Sequence, residues 1–438
     1  MSALQLGLTP KMKPLPPNRS VLVAALDVGT SKIACLIGRL KPRPPQEVLR
    51  LRSHSVDVVG FGHTVARGMK AGTVIDLAEA EAAVRQCADL AERSARMQLD
   101  AVVVSVSAGR PASELISASI EVAGSAIGER DIARVLTAGS RHSARAGRAV
   151  LHSLPIGYVL DHTGGIRDPR GMLARQFGID MHVVTADVSA IRNLMLAIER
   201  CHLDVEAMVT SPYVAGLSAL ADDEADLGAA VIDMGAGTTT IAVFSGGRFV
   251  HASGFALGGR HVTMDIARGL NARVADAERI KTLYGSVLTG SSDERDMIAV
   301  PPVDSDEQAP HFVSRANLAR IIKPRIEEIL EMVRDRLAAS LFAAEPRGRV
   351  VLTGGASQLT GLPELAAQVL GRPVRVGRPL GISGLPEEAK GPAFAVATGM
   401  LVYPQAAHLE HFEPRRTRHS AAGGGYIARV GRWLRESF

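Results

Sequence analysis

Two stretches, Asp27-Val-Gly-Thr-Ser-Lys32 and Asp233-Met-Gly-Ala-Gly-Thr-Thr239, carry the reading of this 438-residue chain. The aliphatic run Val21 to Leu26 leads into the first and Ala229 to Ile232 into the second. Ile33 to Ile37 and Thr240 to Phe244 follow them. Each is therefore strand, small-residue turn, strand. Glycine lets backbone approach an anion, and turn amides with threonine hydroxyls donate to phosphate oxygens. An aspartate at the end of each first strand suits a hydrated Mg²⁺, which keeps several waters. One such turn is commonplace in β-hairpins. Two, about 200 residues apart, imply two similar halves facing each other across a nucleotide cleft.

Two further elements fit between and after these turns. In Val350-Val-Leu-Thr-Gly354-Gly355-Ala356-Ser357 a buried strand opens into a double glycine and a helix start, suited to close approach by a nucleoside. In Ala277-Glu-Arg-Ile-Lys281, Glu278 and Lys281 share a helix face and suit a ribose and base; the same spacing also fits an ordinary surface ion pair.

Around these motifs the chain reads as a multi-domain α/β protein. A strand is expected over 56–62 and helices over 78–97, 129–140, 189–201 (with Ser189 as N-cap), 261–270 and 276–284. A loose acidic loop is expected over 286–309 and a long helix from Ser314 to about Ala344, in which Pro324 kinks the axis or marks a first turn. Residues 1–20 read as a disordered arm, and 404–424, without apolar periodicity and ending in Gly423-Gly-Gly425, as a flexible linker.

Composition bounds the function. Aromatic residues are 4% and the net charge is only +5, which argues against stacking-based nucleic-acid or carbohydrate recognition. Cys35, Cys87 and Cys201 stand far apart and read as buried thiols of a reducing compartment. No secretory leader and no apolar run of about 20 residues is present.

The tail from Gly425 to Phe438 reads as an amphipathic helix. At about 100° per residue, Tyr426, Ile427, Val430, Trp433, Leu434 and Phe438 fall within an arc of roughly 140°. Arg429, Arg432, Arg435 and Glu436 fall opposite. Such a helix docks on a protein surface or lies in a membrane interface. The preceding linker and the arginine-dominated polar face favour an anionic lipid surface, each arginine contributing on the order of 1 kcal/mol. Its roughly 21 Å is too short to span a bilayer, and many linked copies would strengthen a weak single attachment.

The four motifs in this order resemble the actin, sugar-kinase and DnaK-type chaperone superfamily. That resemblance implies an actin-like two-lobed α/β fold with four subdomains and ATP between the lobes. By motif position, Asp27 and Asp233 would organise Mg²⁺ and the attacking water. Gly29, Thr30, Ser31, Lys32, Gly235, Ala236, Gly237, Thr238 and Thr239 would hold phosphates, and Glu278, Lys281, Gly354, Gly355, Ala356 and Ser357 the adenosine.

Within that superfamily the chain resembles the FtsA family of bacterial cell-division proteins. The resemblance rests on Gly165-Ile-Arg-Asp-Pro-Arg-Gly171-Met, His182-Val-Val-Thr-Ala186, Phe255-Ala-Leu-Gly-Gly-Arg-His-Val-Thr-Met-Asp-Ile and Lys323-Pro-Arg-Ile-Glu-Glu-Ile-Leu. It implies a peripheral protein on the cytoplasmic face of the cell membrane at the division site. Such a protein polymerises, anchors FtsZ through the FtsZ tail and recruits later membrane proteins of division. It also implies an arm (1–20), a first subdomain (21–108 and 183–205) and an inserted subdomain (109–182). The second phosphate subdomain follows (206–260), then an FtsZ-binding subdomain (261–345), the adenosine segment (346–403), the linker and the terminal helix. One departure stands out. The family's second turn usually reads Asp-x-Gly-Gly-Gly-Thr-Thr-Asp, whereas here Ala236 replaces the middle glycine and Thr240 the second aspartate. ATP binding with slow hydrolysis is therefore expected. The rivals are a sugar-kinase-like phosphotransferase, which would need a further catalytic carboxylate, and a pilus-assembly or chaperone-type ATPase. A chaperone would carry a β-domain beyond residue 438.

Overall fold

A computed structural model describes residues 9–48, 51–141, 146–301, 310–345 and 348–412. The terminal amphipathic segment 425–438 lies outside the described residues.

The duplicated motif folds as a duplicated topology. In the first lobe Val21–Val28 pairs antiparallel with Lys32–Pro42 and parallel with Ala101–Val106. In the second, Ala229–Met234 pairs antiparallel with Thr239–Ser245 and parallel with Arg349–Thr353. Asp27 sits opposite Ala34, and Asp233 opposite Thr240. Parallel pairing buries both faces of a strand, so Ala229–Met234 is buried throughout. The first lobe's sheet has six strands, with His54–Val65 and Asp204–Thr210 toward its edges. The second has nine, because Ala112–Glu121 pairs with Arg248–Phe255 through Ser253 and Ala112. The strands Ala112–Glu121, Gln176–Asp187 and Arg148–Leu160 of the insertion thus extend the sheet of the second lobe.

Between the lobes run two largely apolar helices, Ser211–Ala219 and Ala395–Val402, whose residues are nearly all buried. They pack so closely that a Cβ on Gly399 would run into the Val214 carbonyl. The long helix Arg315–Ala338 continues through Pro324, which is neither a break nor a first turn. It ends six residues earlier than expected, since Ser340 caps a separate 3-10 turn, Leu341–Ala344, that buries Phe342.

Several local expectations are corrected. The helix near 189 is Val188–Glu199, and its N-cap is Asp187. The Asp187 side chain makes no capping bond because Arg148 Nη1 donates to it at 2.8 Å and Arg110 Nε at 3.2 Å. Within 286–309 the strand Met297–Val300 pairs with His311–Ser314, burying Ile298 and Val300; its four residues are all apolar, so the sequence shows no polar–apolar alternation.

The arm and the linker are also corrected where they are described. Thr9 is buried, its Oγ1 donating to Val150 O at 3.0 Å, and Met12 and Leu15 pack on the core. Residues 404–409 form two 3-10 turns, with Pro404, Gln405 and Ala406 buried. His54 N donates to Gln405 Oε1 at 2.7 Å, and His411 N to Ser153 O at 2.9 Å. The polar anchors of this stretch are partners far away in sequence, so it lacks the apolar periodicity that marks a packed element.

Candidate functional site

Each phosphate-type turn is closed by the same backbone bond: Gly29 N donates to Lys32 O at 3.0 Å and Gly235 N to Thr238 O at 2.9 Å. Both open onto one cavity of about 580 Å³ between the lobes. The turns also touch. A Cβ added at Gly237 would collide with Thr30 Oγ1 and lie 2.9 Å from Thr30 Cβ, so only glycine allows this closeness. Thr30 Oγ1 in turn accepts from Gly72 N at 2.9 Å. Beside the second turn, Gly354 takes φ +83°, and a Cβ there would lie 2.6 Å from Asp233 Oδ1.

The two aspartates are buried under like charge. Burial pushes Asp27 above the usual carboxylate range, against the pull of Lys32 and a 2.6 Å hydrogen bond from Ser105 Oγ. Asp233 is pushed up to about 7, first by burial and then by the neighbouring Asp27. Thr240 Oγ1 lies 3.5 Å from Asp233 Oδ2, so a hydroxyl stands where the family usually has a second carboxylate. Lys32 is brought down to about 8 by burial. Its Nζ donates to Ala393 O at 2.6 Å and lies 3.3 Å from the Phe394 ring centroid, tying the first turn to the segment before the helix Ala395–Val402.

The Glu278–Lys281 pair is not an isolated surface contact. Lys281 Nζ reaches Glu278 Oε2 at 2.7 Å, Thr263 Oγ1 at 2.8 Å and Gly259 O at 3.1 Å, and Thr263 Oγ1 also donates to Glu278. Both ends line the cavity. Asp27, Gly29, Thr30, Ser31, Lys32, Asp233, Gly235, Ala236, Gly237, Thr238, Glu278, Lys281, Gly354, Gly355 and Ala356 all contribute to its wall. Two expected residues do not. Thr239 belongs to a buried strand and its hydroxyl donates to Leu257 O at 2.9 Å. Ser357 is buried, closing the turn Gly355–Gln358 onto Gly354 O at 2.7 Å. That 3-10 turn also stands where a helix start was expected; the helix begins at Leu362.

Other wall residues escaped the sequence reading. Ser107 and Ser211 lie at the floor, and Gly259, Thr282, Tyr284 and Gln358 at the far side. Gly259 and Tyr284 adjoin helices that were recognised. Ser211 stands in the stretch Ser211-Pro-Tyr, which adds to the family resemblance, but as the first residue of a largely apolar helix it gave no sign of a place in the site.

The residues present suit a nucleotide with a hydrated dication. Gly237 and Gly354 leave no room for a side chain at the cavity wall, and burial holds both carboxylates toward the protonated state, Asp233 being raised further by Asp27. A nearby positive charge relieves that repulsion. Among the described residues no three His, Cys, Asp or Glu side chains converge, so the donor set suits an ion held through water rather than an all-protein cage.

The comparisons with known proteins give the same architecture a family. A model described as "Cell division protein FtsA" matches residues 230–399, and one described as "SHS2 domain inserted in FTSA" matches 108–185. The cell division protein FtsA of Agrobacterium fabrum (strain C58 / ATCC 33970) is 51% identical over 432 residues, 98% of each chain. This chain belongs to the FtsA family. FtsA of Escherichia coli (strain K12) is 31% identical over 424 residues, covering 95% of this chain and 98% of that one. Among solved structures, the PilM-PilN type IV pilus biogenesis complex superposes with TM-score 0.60 at 17% identity, over 89% of this chain and 99% of that one. MreB5 of Spiroplasma citri bound to ADP gives 0.52 at 14%, over 89% and 98%. These two likenesses concern the fold, which is that of the actin-like ATPases. Among the described residues of this FtsA-family chain, no helix is long and apolar enough to cross a membrane.

Proposed function

We propose that this cell-division protein binds ATP with Mg²⁺ between its lobes and, in that state, assembles into filaments that tether FtsZ to the cytoplasmic face of the membrane. The observation that carries the nucleotide part is the meeting of both phosphate-type turns on one cavity that Glu278, Lys281 and Gly354–Gly355 also line. Turn amides and the Thr30 and Thr238 hydroxyls would hold the phosphates, and Lys32 would neutralise them. Asp27 and Asp233 would hold the hydrated ion and orient water. Glu278 and Lys281 would meet the ribose and base. The loss of the second carboxylate at Thr240 fits slow hydrolysis, with ATP acting mainly to hold the closed state.

Membrane tethering rests on the amphipathic pattern of residues 426–438, with Trp433 in the apolar arc. Recruitment of FtsZ and of later membrane proteins, and division-site localisation, rest on membership of the FtsA family. The subdomain of residues 261–345 is the proposed seat of FtsZ. Sedimentation of the full chain with anionic liposomes, with and without ATP, tests the tether. The wild-type chain should pellet with lipid and Trp433→Glu should stay in the supernatant; equal binding by both would refute it.

A further inference from the structure

Residues 403–412 form a strap across the strand Arg148–Leu160, and its anchor is the buried side chain of Glu410. Glu410 Oε1 accepts from Tyr403 Oη at 3.1 Å and lies 2.8 Å from His152 Nδ1. Thr210 N donates to His152 Nε2 at 2.9 Å. A backbone N–H can only donate, so Nε2 is the acceptor and the ring proton sits on Nδ1, donating to Glu410. Both side chains are nearly inaccessible, at 0% and 2% exposure.

This clamp connects with the floor of the cleft in two ways. Ser211, the residue after Thr210, lines the cavity and starts the helix Ser211–Ala219. The helix Ala395–Val402 has Val396 in the cavity wall at one end and runs into the strap at the other. The two helices are locked together, since Ser218 Oγ donates to Ala395 O at 2.6 Å and Gly399 abuts Val214. A shift of the floor therefore moves both the donor to His152 and the origin of the strap.

The strap also has room and reason to move. A second cavity of about 430 Å³ opens beside it, lined by Leu154, Tyr213, Val402 and Leu409. Beneath it, Glu410 Oε2, Ser153 Oγ and Gln405 Nε2 are buried without hydrogen-bond partners among the described residues. Its docked state is thus incompletely satisfied, and its detachment costs less than that of a fully bonded element.

We propose that the His152–Glu410 clamp couples cleft occupancy to docking of the strap, so that nucleotide tightens residues 403–412 and a loosened strap weakens nucleotide binding. The inference rests on the nucleotide reading of the cleft. Coupling of this kind is reciprocal, so it is measurable from both ends. Hydrogen exchange of the full chain with and without a non-hydrolysable ATP analogue and Mg²⁺ should show slower exchange across 403–412, the His411 amide included. Glu410→Ala should raise the nucleotide Kd by about 2- to 30-fold, while Glu410→Gln, which keeps an acceptor oxygen for His152, should stay near wild type. Unchanged strap exchange while the turn amides of the cleft become protected would overturn the coupling and leave the nucleotide reading intact. So would a folded Glu410→Ala with wild-type affinity. Should Glu410→Ala fail to fold, the wild-type exchange measurement decides alone. Absence of nucleotide binding by the wild-type chain would remove both the reading and the coupling.

Discussion

The two phosphate-type turns occupy matching places in the two lobes, yet their aspartates are treated differently. Asp27 has a 2.6 Å hydroxyl donor in Ser105 and shares its turn with Lys32. Asp233 has Thr240 at 3.5 Å, with the Thr353 hydroxyl also beside it, and is pushed up to about 7. Lys32 belongs to the first turn but faces both aspartates, and the second turn, with no cation of its own, leans more on what enters the cleft. A duplicated fold has kept its geometry while dividing its electrostatics, and the ligand-dependent half is the one in which the family pattern is altered.

The strongest way to break this asymmetry is Asp233→Asn. An acid whose folded pKa is raised keeps its proton after the unfolded chain has released one. The unfolded chain then binds fewer protons, and stability falls as pH rises. Without nucleotide or Mg²⁺, urea unfolding of the wild-type chain should therefore show stability declining from about pH 4 to about 7, at up to about 1.4 kcal/mol per pH unit. Asp233→Asn should flatten that slope, and Asp27→Asn should reduce it by removing the like charge. An unchanged slope in Asp233→Asn would refute the assignment.

A geometric test comes next. Gly237→Ala drives a methyl into Thr30 and should force the turns apart, with an overpacking cost of about 1–3 kcal/mol read as weaker nucleotide binding in titration calorimetry. Gly164→Ala, with nothing within 4 Å of the added Cβ and away from the cavity, is the control and should bind as wild type. A smaller effect is expected of Ser105→Ala. Losing that one hydrogen bond costs about 0.5–1.5 kcal/mol, and it should raise Asp27 and make the two turns more alike in their pH response. Smallest of all, Lys281→Met should weaken nucleotide binding by a few-fold, because the lysine contacts only one end of the proposed ligand. An equal loss with inorganic triphosphate would place Lys281 at the phosphates instead.

Much of the site was legible before any coordinates. Each phosphate turn is a contiguous segment, and the chemistry of its glycines, threonines and aspartate is local. Glu278 and Lys281 were visible as a pair for the same reason. The resemblance placed them at the adenosine, but the contacts of Lys281 with Thr263 and Gly259 of a neighbouring helix were not visible. The Asp187 cap, the pairing of 297–300 with 311–314 and the burial of 404–412 were likewise hidden. Each depends on partners whose choice leaves no periodic trace. Gln405 meets His54 351 residues away and Glu410 meets His152 258 residues away.

By itself the sequence determined the duplicated strand–turn–strand design, the order of the motifs and the family, because these live in short contiguous patterns. Only the tertiary structure decided that Thr30 and Gly237 touch. It alone set Asp27 and Asp233 against each other, and turned Thr239 and Ser357 away from the cavity. The reason is physical: burial, like-charge repulsion and close packing are properties of groups brought together by the fold, and no segment of the chain contains them alone.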